Sequence, residues 1–259
     1  MTTFADTTGN TLDTLADPRV ESFDPTTLDA LPPPARRLLS AAIPPDTPLR
    51  RVAHLEMDGE IKLAGRWLPF TACQILHAGV GFVWAPTVGG RLLRFTGADT
   101  LGPLGARVEF RLHGRIPVAR SSGPDTQHSA EGRLVAETVV WLPQALTPQV
   151  GARWEPIDNT HATVTLAAAG SDVHVEVAVD NEGQITSVGL KRWNDSTKPP
   201  DYAPFGGSVH STILVDDGVR IAGSGTVGWD WHTPDQAAGE FFRYRITSAH
   251  YSPNRLARG

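Results

Sequence analysis

Most of this chain alternates. Val52, His54 and Glu56 trade places with Ala53, Leu55 and Met57, and Ala162, Val164 and Leu166 with His161, Thr163 and Thr165. Val173, Val175, Val177 and Val179 do the same against Asp172, His174, Glu176 and Ala178. A period of two marks a strand with one face covered. Turn signals separate the runs at Asp58-Gly59, Gly79-Val80-Gly81, Asn181-Glu182-Gly183 and Asp216-Asp217-Gly218. The spacing predicts strands near 51–57, 61–63, 67–76, 82–84, 92–97, 106–113 and 116–120. After an interruption, it predicts more near 161–166, 172–179, 184–193, 208–215, 219–229 and 241–251.

The interruption is the stretch 121–148, SSGPDTQHSAEGRLVAETVVWLPQALTP, whose period is helical. Leu134, Glu137, Thr138 and Trp141 fall at i, i+3, i+4 and i+7 and share one face. Asp125 or Ser129 can cap the start and Pro143 limits the end, which predicts a helix over 125–142. Glu137 stands between apolar neighbours on that face, where a carboxylate is costly unless paired, solvated or useful. Arg133, four residues earlier, can pair with it.

Ahead of the strands, Asp24-Pro25 opens a short helix, the prolines at 32–34 break it, and a second spans 35–42 before Pro44-Pro45. The Arg36-Arg37 pair reads as a solvated face. Residues 1–22, rich in Thr and Asp, read as a disordered or loosely attached arm. The remainder, 23–259, reads as a single β-rich domain with N-terminal helices over 23–45. The predicted class is mainly β: a strongly curved antiparallel sheet, a half-open barrel, covered by one long helix. Space left between sheet and helix would be a ligand pocket.

Composition narrows the picture. With 40% hydrophobic and 20% charged residues, the chain is an ordinary globular one. A net charge of −5 gives no footprint for nucleic acid or for an anionic membrane surface. The single cysteine, Cys73, excludes an internal disulfide and a cysteine-based zinc site, and its strand setting predicts a packed thiol. Residues 1–30 lack a basic segment followed by an apolar one, and no apolar run is long enough for a transmembrane segment. The expected location is cytoplasmic.

Several pieces of the chain carry a resemblance. They are PARRLLSAAIPPDTPL at 34–49, GRWLPFTACQ at 65–74, GFVW at 81–84 and GRIPVARSSGPD at 114–125. GRLVAETVVWLPQALTP at 132–148, RWEPIDNTHATV at 153–164, KRWND at 191–195, PFGG at 204–207 and GEFFRYRIT at 239–247 complete it. In these the chain resembles a largely bacterial family described as a domain of unknown function, over roughly residues 30–250. The order of elements also resembles the bacterial lipoprotein-carrier fold, a half-open antiparallel barrel lidded by helices that holds acyl chains. This resemblance implies a hydrophobic cargo.

Candidate chemistry is sparse. Gly223-Ser224-Gly225-Thr226-Val227-Gly228 spells a dinucleotide-binding loop, but Trp229-Asp230-Trp231-His232 follows it where a helix should begin, so the glycines read as a bent strand. Nine histidines form no H-E-x-x-H, and there is neither a G-x-S-x-G elbow nor a P-loop. No motif calls for a cofactor or a metal. The best polar cluster is Asp158-Asn159-Thr160-His161, either a turn or a pair in which Asp158 orients His161 for acid–base work with Glu137. Arg192-Trp193 and Arg243-Tyr244 set cations beside aromatics, on the outer face or toward an acidic ligand. Trp84, Trp141, Phe205 and Trp229 join them as candidate cavity walls. The leading reading is a protein that binds a hydrophobic or amphipathic small molecule. The alternative is a cofactor-independent isomerase, cyclase or hydrolase using Glu137, Asp158 and His161. A protein-binding module, the third, would need a large exposed apolar patch.

Overall fold

The computed structural model describes residues 3–15 and 21–252. Helix α1 spans Phe4–Thr14 and α2 spans Pro33–Ala42. The first meander follows: β1 (Val52–Leu63), β2 (Arg66–His77), β3 (Gly81–Gly89), β4 (Arg94–Gly102), β5 (Gly105–Leu112) and β6 (Ile116–Ser122). Helix α3, Pro124–Trp141, comes next. The second meander is β7 (Arg153–Pro156), β8 (His161–Ala168), β9 (Ser171–Val179), β10 (Ile185–Asn194), β11 (Asp201–Leu214), β12 (Arg220–Trp229) and β13 (Glu240–Tyr251).

Each meander pairs neighbour to neighbour, and β1 zips to β13, giving one 13-stranded antiparallel sheet with β6 and β7 at its edges. The sheet does not close on itself. Between the edge strands the chain crosses as α3, which touches β4, β5 and β6 at one end of the sheet and β8, β9 and β10 at the other. Only a sheet wrapped around the helix permits that. The predicted class and the lid helix stand, the helix displaced by one residue from 125–142. Its N-cap is Gly123, at φ 104°, and no side chain caps it, neither Asp125 nor Ser129. Leu55, Phe82, Leu101, Leu134, Leu142 and Leu146 are fully buried in one continuous core of sheet and helix.

Asp58-Gly59 is not a turn. β1 runs through it, and Gly59 faces Tyr244 of β13, where a Cβ would stand 1.9 Å from the Arg243 carbonyl oxygen. The glycine is there for backbone approach. The motif at 223–228 lies wholly within β12, as the bent-strand reading has it. Cys73 is exposed, not packed, because it alternates with the inward Ala72 and Gln74. Arg37 is not merely solvated: its Nη2 donates to the Asn159 carbonyl at 2.7 Å.

The arm also differs from its expectation. Residues 4–14 are helical, with a capping box between Thr3 and Asp6, and Leu12 is fully buried. The rest of that arm, 1–2 and 16–20, lies outside the described residues, as does 253–259 of the expected domain. Gly9 rests on Ile75 and Val83, cross-strand partners on the face opposite Gln74 and Trp84. Thus α1 covers the convex side of the sheet, and α3 the concave side. Asp13 meets His54 at 3.0 Å and Arg107 lies over the Phe4 ring at 5.4 Å. Deleting residues 1–15 should therefore lower Tm by about 5 °C or more, since it removes one buried Leu and a partly buried Phe. Scanning calorimetry of the truncated chain checks this; an unchanged Tm would mean the helix contributes nothing to stability.

Candidate ligand cavity

Where α3 lies closest to the sheet, Gly132 sits over β10, and a Cβ there would stand 3.0 Å from Arg192 Cγ. Toward β11, β12 and β13 a gap remains between α3 and the sheet. The gap is a cavity of about 320 Å³, walled by α3 and by side chains of β1, β3, β4 and β10–β13. That volume is at the lower end of the roughly 300–1,000 Å³ of small-molecule sites. Its walls are largely aromatic and aliphatic, with Val140, Trp141, Phe205, Val227, Trp229, Phe242 and Tyr244 prominent. Trp84 packs on Phe70 and Phe242, and Trp141 on Tyr244, at 5.4–5.9 Å between centroids.

Two arginines enter this apolar space and differ in their partners. Arg133 of α3 donates from Nη1 to Asp99 Oδ2 at 2.7 Å and from Nε to Glu137 Oε1 at 2.6 Å. Gln74 Nε2 donates to the other Glu137 oxygen at 2.5 Å. The guanidinium lies over Phe82 and Trp84, 4.5 and 5.1 Å from their centroids. Desolvation opposes its charge, but the Glu137 and Asp99 carboxylates outweigh that and raise its pKa.

Arg192 of β10 has neutral partners only. It donates from Nε to the Ser129 carbonyl at 2.9 Å and from Nη2 to Ser129 Oγ at 3.2 Å. Its guanidinium is held against Phe205 and Trp229, 4.6 and 5.4 Å from their centroids. Among the described residues it makes no ion pair. Desolvation, and then the like charge of Arg133, push its pKa down to about 10, against a smaller opposing pull from Asp99, Glu137 and Asp195, none of which pairs with it directly. It stays charged at neutral pH in a place poorly suited to a charge. Further donors stand on the same walls. Among the described residues the buried indole N–H groups of Trp84 and Trp141 have no hydrogen-bond partner. Burial, and secondarily Glu137, raise the Tyr244 pKa, so its phenol keeps its proton.

Glu137, Arg133, Trp141, Trp84, Arg192, Phe205, Trp229 and Tyr244, all singled out in the sequence, come together on this cavity. Four others do not. Asp158 and His161 lie at the β7–β8 turn, half to a third exposed, outside the lining. Asp158 accepts from the Thr160 backbone and hydroxyl and from His161, in that order of effect on its lowered pKa, as a turn-forming Asp does. Arg243 projects from the outer face, pairing with Glu240 at 2.7 Å and covering Trp67 at 4.2 Å. Trp193 sits at the start of α3, its indole donating to Asp125 at 3.1 Å.

Sequence reading missed Asp99, Gln74 and Ser129. Each is a polar residue at an inward position, and only the register of β2, β3 and β4 puts Gln74, Trp84 and Asp99 side by side. Among the described residues no three His, Cys, Asp or Glu side chains gather as metal ligands.

A family of unknown function, DUF6544, matches residues 21–241. The chain belongs to this family. The DUF6544 match contains the whole cavity except the inward residues of β13 beyond 241. No curated protein matches the chain. Among solved structures, the DUF6544 chain is similar to a LolA superfamily protein from Nitrosomonas europaea. The identity is 9%, with 84% of this chain and 91% of that one covered and a TM-score of 0.42. It is also similar to a DUF1329 family protein from Desulfovibrio piger, at 10% identity, 92% and 96% coverage and a TM-score of 0.41. Both are distant likenesses. No helix among the described residues is long and apolar enough to cross a membrane.

Proposed function

We propose that this DUF6544 protein binds an amphipathic small molecule in the cavity beneath α3, with the apolar part against the aromatic walls and an acidic group at Arg192. The observation that carries this reading is the state of Arg192: a desolvated guanidinium, held against Phe205 and Trp229, with no carboxylate at ion-pair distance among the described residues. A buried cation is costly unless an anion meets it. Arg133 cannot serve in the same way, because Asp99 and Glu137 already hold it. The planar guanidinium suits a carboxylate or a phosphate, which take two parallel hydrogen bonds from it.

The enzymatic alternative asks for an imidazole and a second carboxylate beside Glu137. Asp158 and His161 lie outside the cavity, and Glu137 is engaged by Arg133 and Gln74. The geometry favours binding. Native mass spectrometry of the protein as purified from its expression host tests the reading. We expect a fraction of the molecules to carry a single adduct that, once released, ionises as an anion. Only ligand-free protein, or an adduct that is a cation, would contradict it.

A further inference from the structure

Two neighbouring hairpin tips carry a feature unrelated to the cavity. The β3–β4 tip reads Gly90-Arg91-Leu92-Leu93-Arg94, and the β5–β6 tip reads His113-Gly114-Arg115-Ile116. They lie side by side, because the His113 N–H donates to the Arg94 carbonyl at 2.7 Å. Each turn is closed within itself, by Gly90 N–H to the Leu93 carbonyl and by Arg115 N–H to the Leu112 carbonyl. The glycines at 89 and 114 take the left-handed conformation that such tips require. The tips are thus set by the sheet and project past its rim.

Their side chains are of two kinds. Leu92 is 91% exposed and Ile116 60%, with Leu93 and Val118 about half exposed beside them. Aliphatic side chains held in water at a turn, where Asn, Asp or Ser would serve, are out of keeping with a free tip. The second kind is cationic. Residues 89–98 and 110–124 contain Arg91, Arg94, Arg111, Arg115 and Arg120 and not one Asp or Glu. Of these, Arg111 shares Glu109 with Arg107, and Glu109 also lies across the ladder from Arg120. Among the described residues Arg91, Arg94, Arg115 and Arg120 make no ion pair. The whole chain is acidic at −5, so the rim reverses the charge of the molecule that bears it. The net charge conceals this because it averages over the entire surface.

We propose that these two tips form a docking surface for a lipid bilayer carrying anionic headgroups, with Leu92, Leu93 and Ile116 entering the interface and the arginines meeting the headgroups. Charge complementarity selects the partner. Arginines attract an anionic leaflet, and aliphatic tips gain by leaving water for acyl chains. A single-stranded nucleic acid would share the charges but would favour exposed aromatic rings for stacking, and the tips expose none: Phe95 and Phe110 are half-buried. The β6 edge offers no site for strand addition at this point, since Pro117 lacks an N–H to donate. The inference does not depend on what the cavity holds.

Sedimentation with vesicles tests it. The full chain should bind phosphatidylcholine vesicles containing about one-third phosphatidylglycerol, bind pure phosphatidylcholine at least about tenfold less, and weaken with added salt. The pair Arg91→Glu/Arg94→Glu should lower binding by about tenfold or more, and Leu92→Ser/Leu93→Ser by a similar factor. The control pair Arg36→Glu/Lys191→Glu, with the same change in net charge on exposed residues elsewhere, should bind as the parent does. These side chains are exposed, so melting curves should coincide with the parent's. The proposal is overturned if the parent ignores the anionic vesicles, or if the control pair loses binding equally. Loss on arginine reversal with the serine pair unaffected also overturns it, in favour of an anionic macromolecule bound by charge alone.

Discussion

Arg133→Met should lower the stability of the fold by about 3–5 kcal/mol, the cost of breaking a buried ion pair by removing one partner. Arg133 holds two carboxylates at once, Asp99 at 2.7 Å and Glu137 at 2.6 Å, in a space walled by aromatic rings. Without it both carboxylates remain in the cavity, and Gln74 is the one other donor to either of them among the described residues. Methionine keeps much of the apolar stem, so the loss reports the charge network and not a packing void. The triad also joins α3 to β2 and β4, so its loss loosens the lid as well as the polar cluster. Glu137→Gln removes a single negative charge and should cost less, about 1–3 kcal/mol. Urea unfolding with an unchanged slope measures both. A loss below about 1 kcal/mol for Arg133→Met would show that the cluster is wet enough to be screened, and the cavity would no longer be a place where Arg192 is short of a counter-charge.

The sequence made the architecture legible through two periods. Alternation over 51–57, 161–166 and 172–179 sets which side chains face inward, and the single helical stretch has nowhere to bury Leu134 and Trp141 except in the hollow of the sheet. Glu137 was readable for the same reason, as the polar residue between them. Two of the misplaced residues follow the same alternation that found the strands, and placing them in the cavity beside their neighbours broke it. Phe242 and Tyr244 face inward, so Arg243 between them must face out, and Arg192 facing the helix turns Trp193 elsewhere. Asp158 and His161 obey local turn chemistry, which the Asp-Asn-Thr run already signals. Helix α1 escaped because it docks through Thr8, Gly9 and Leu12, small and polar for the most part, leaving a periodicity of apolar residues almost nothing to register. Asp99 and Gln74 depend on the register of three strands, which no local pattern records.

Arg192→Gln should weaken binding of an acidic amphiphile by about 30-fold or more while leaving the ligand-free protein as stable as before, or more so. The two effects have one cause. In the free protein the guanidinium is desolvated, repelled by Arg133 and bonded only to the neutral Ser129, and the more distant carboxylates of Asp99, Glu137 and Asp195 offset this only in part, so its charge costs the fold stability. The sign follows from its lowered pKa: the penalty is fully present below about pH 10, and from there up to the ordinary arginine value the unfolded chain binds more protons than the folded one, so stability rises as the charge is lost. In the complex the same charge meets a carboxylate, and truncating one partner of such a buried pair costs about 2–5 kcal/mol of binding. Gln keeps a donor that can reach Ser129, so the seat of α3 on β10 survives the exchange. Arg133→Met would be expected to do the reverse, with a large loss of stability and no selective effect on acidic ligands.

The measurement closest to the central claim is a calorimetric titration of the protein and of Arg192→Gln with a straight-chain carboxylic acid and with the alcohol of the same chain length. The acid should bind the parent at least about 30-fold more tightly than the alcohol, and this preference should disappear in Arg192→Gln while alcohol binding is unchanged. Equal affinity of the parent for acid and alcohol, or an acid preference that survives the loss of Arg192, would contradict it.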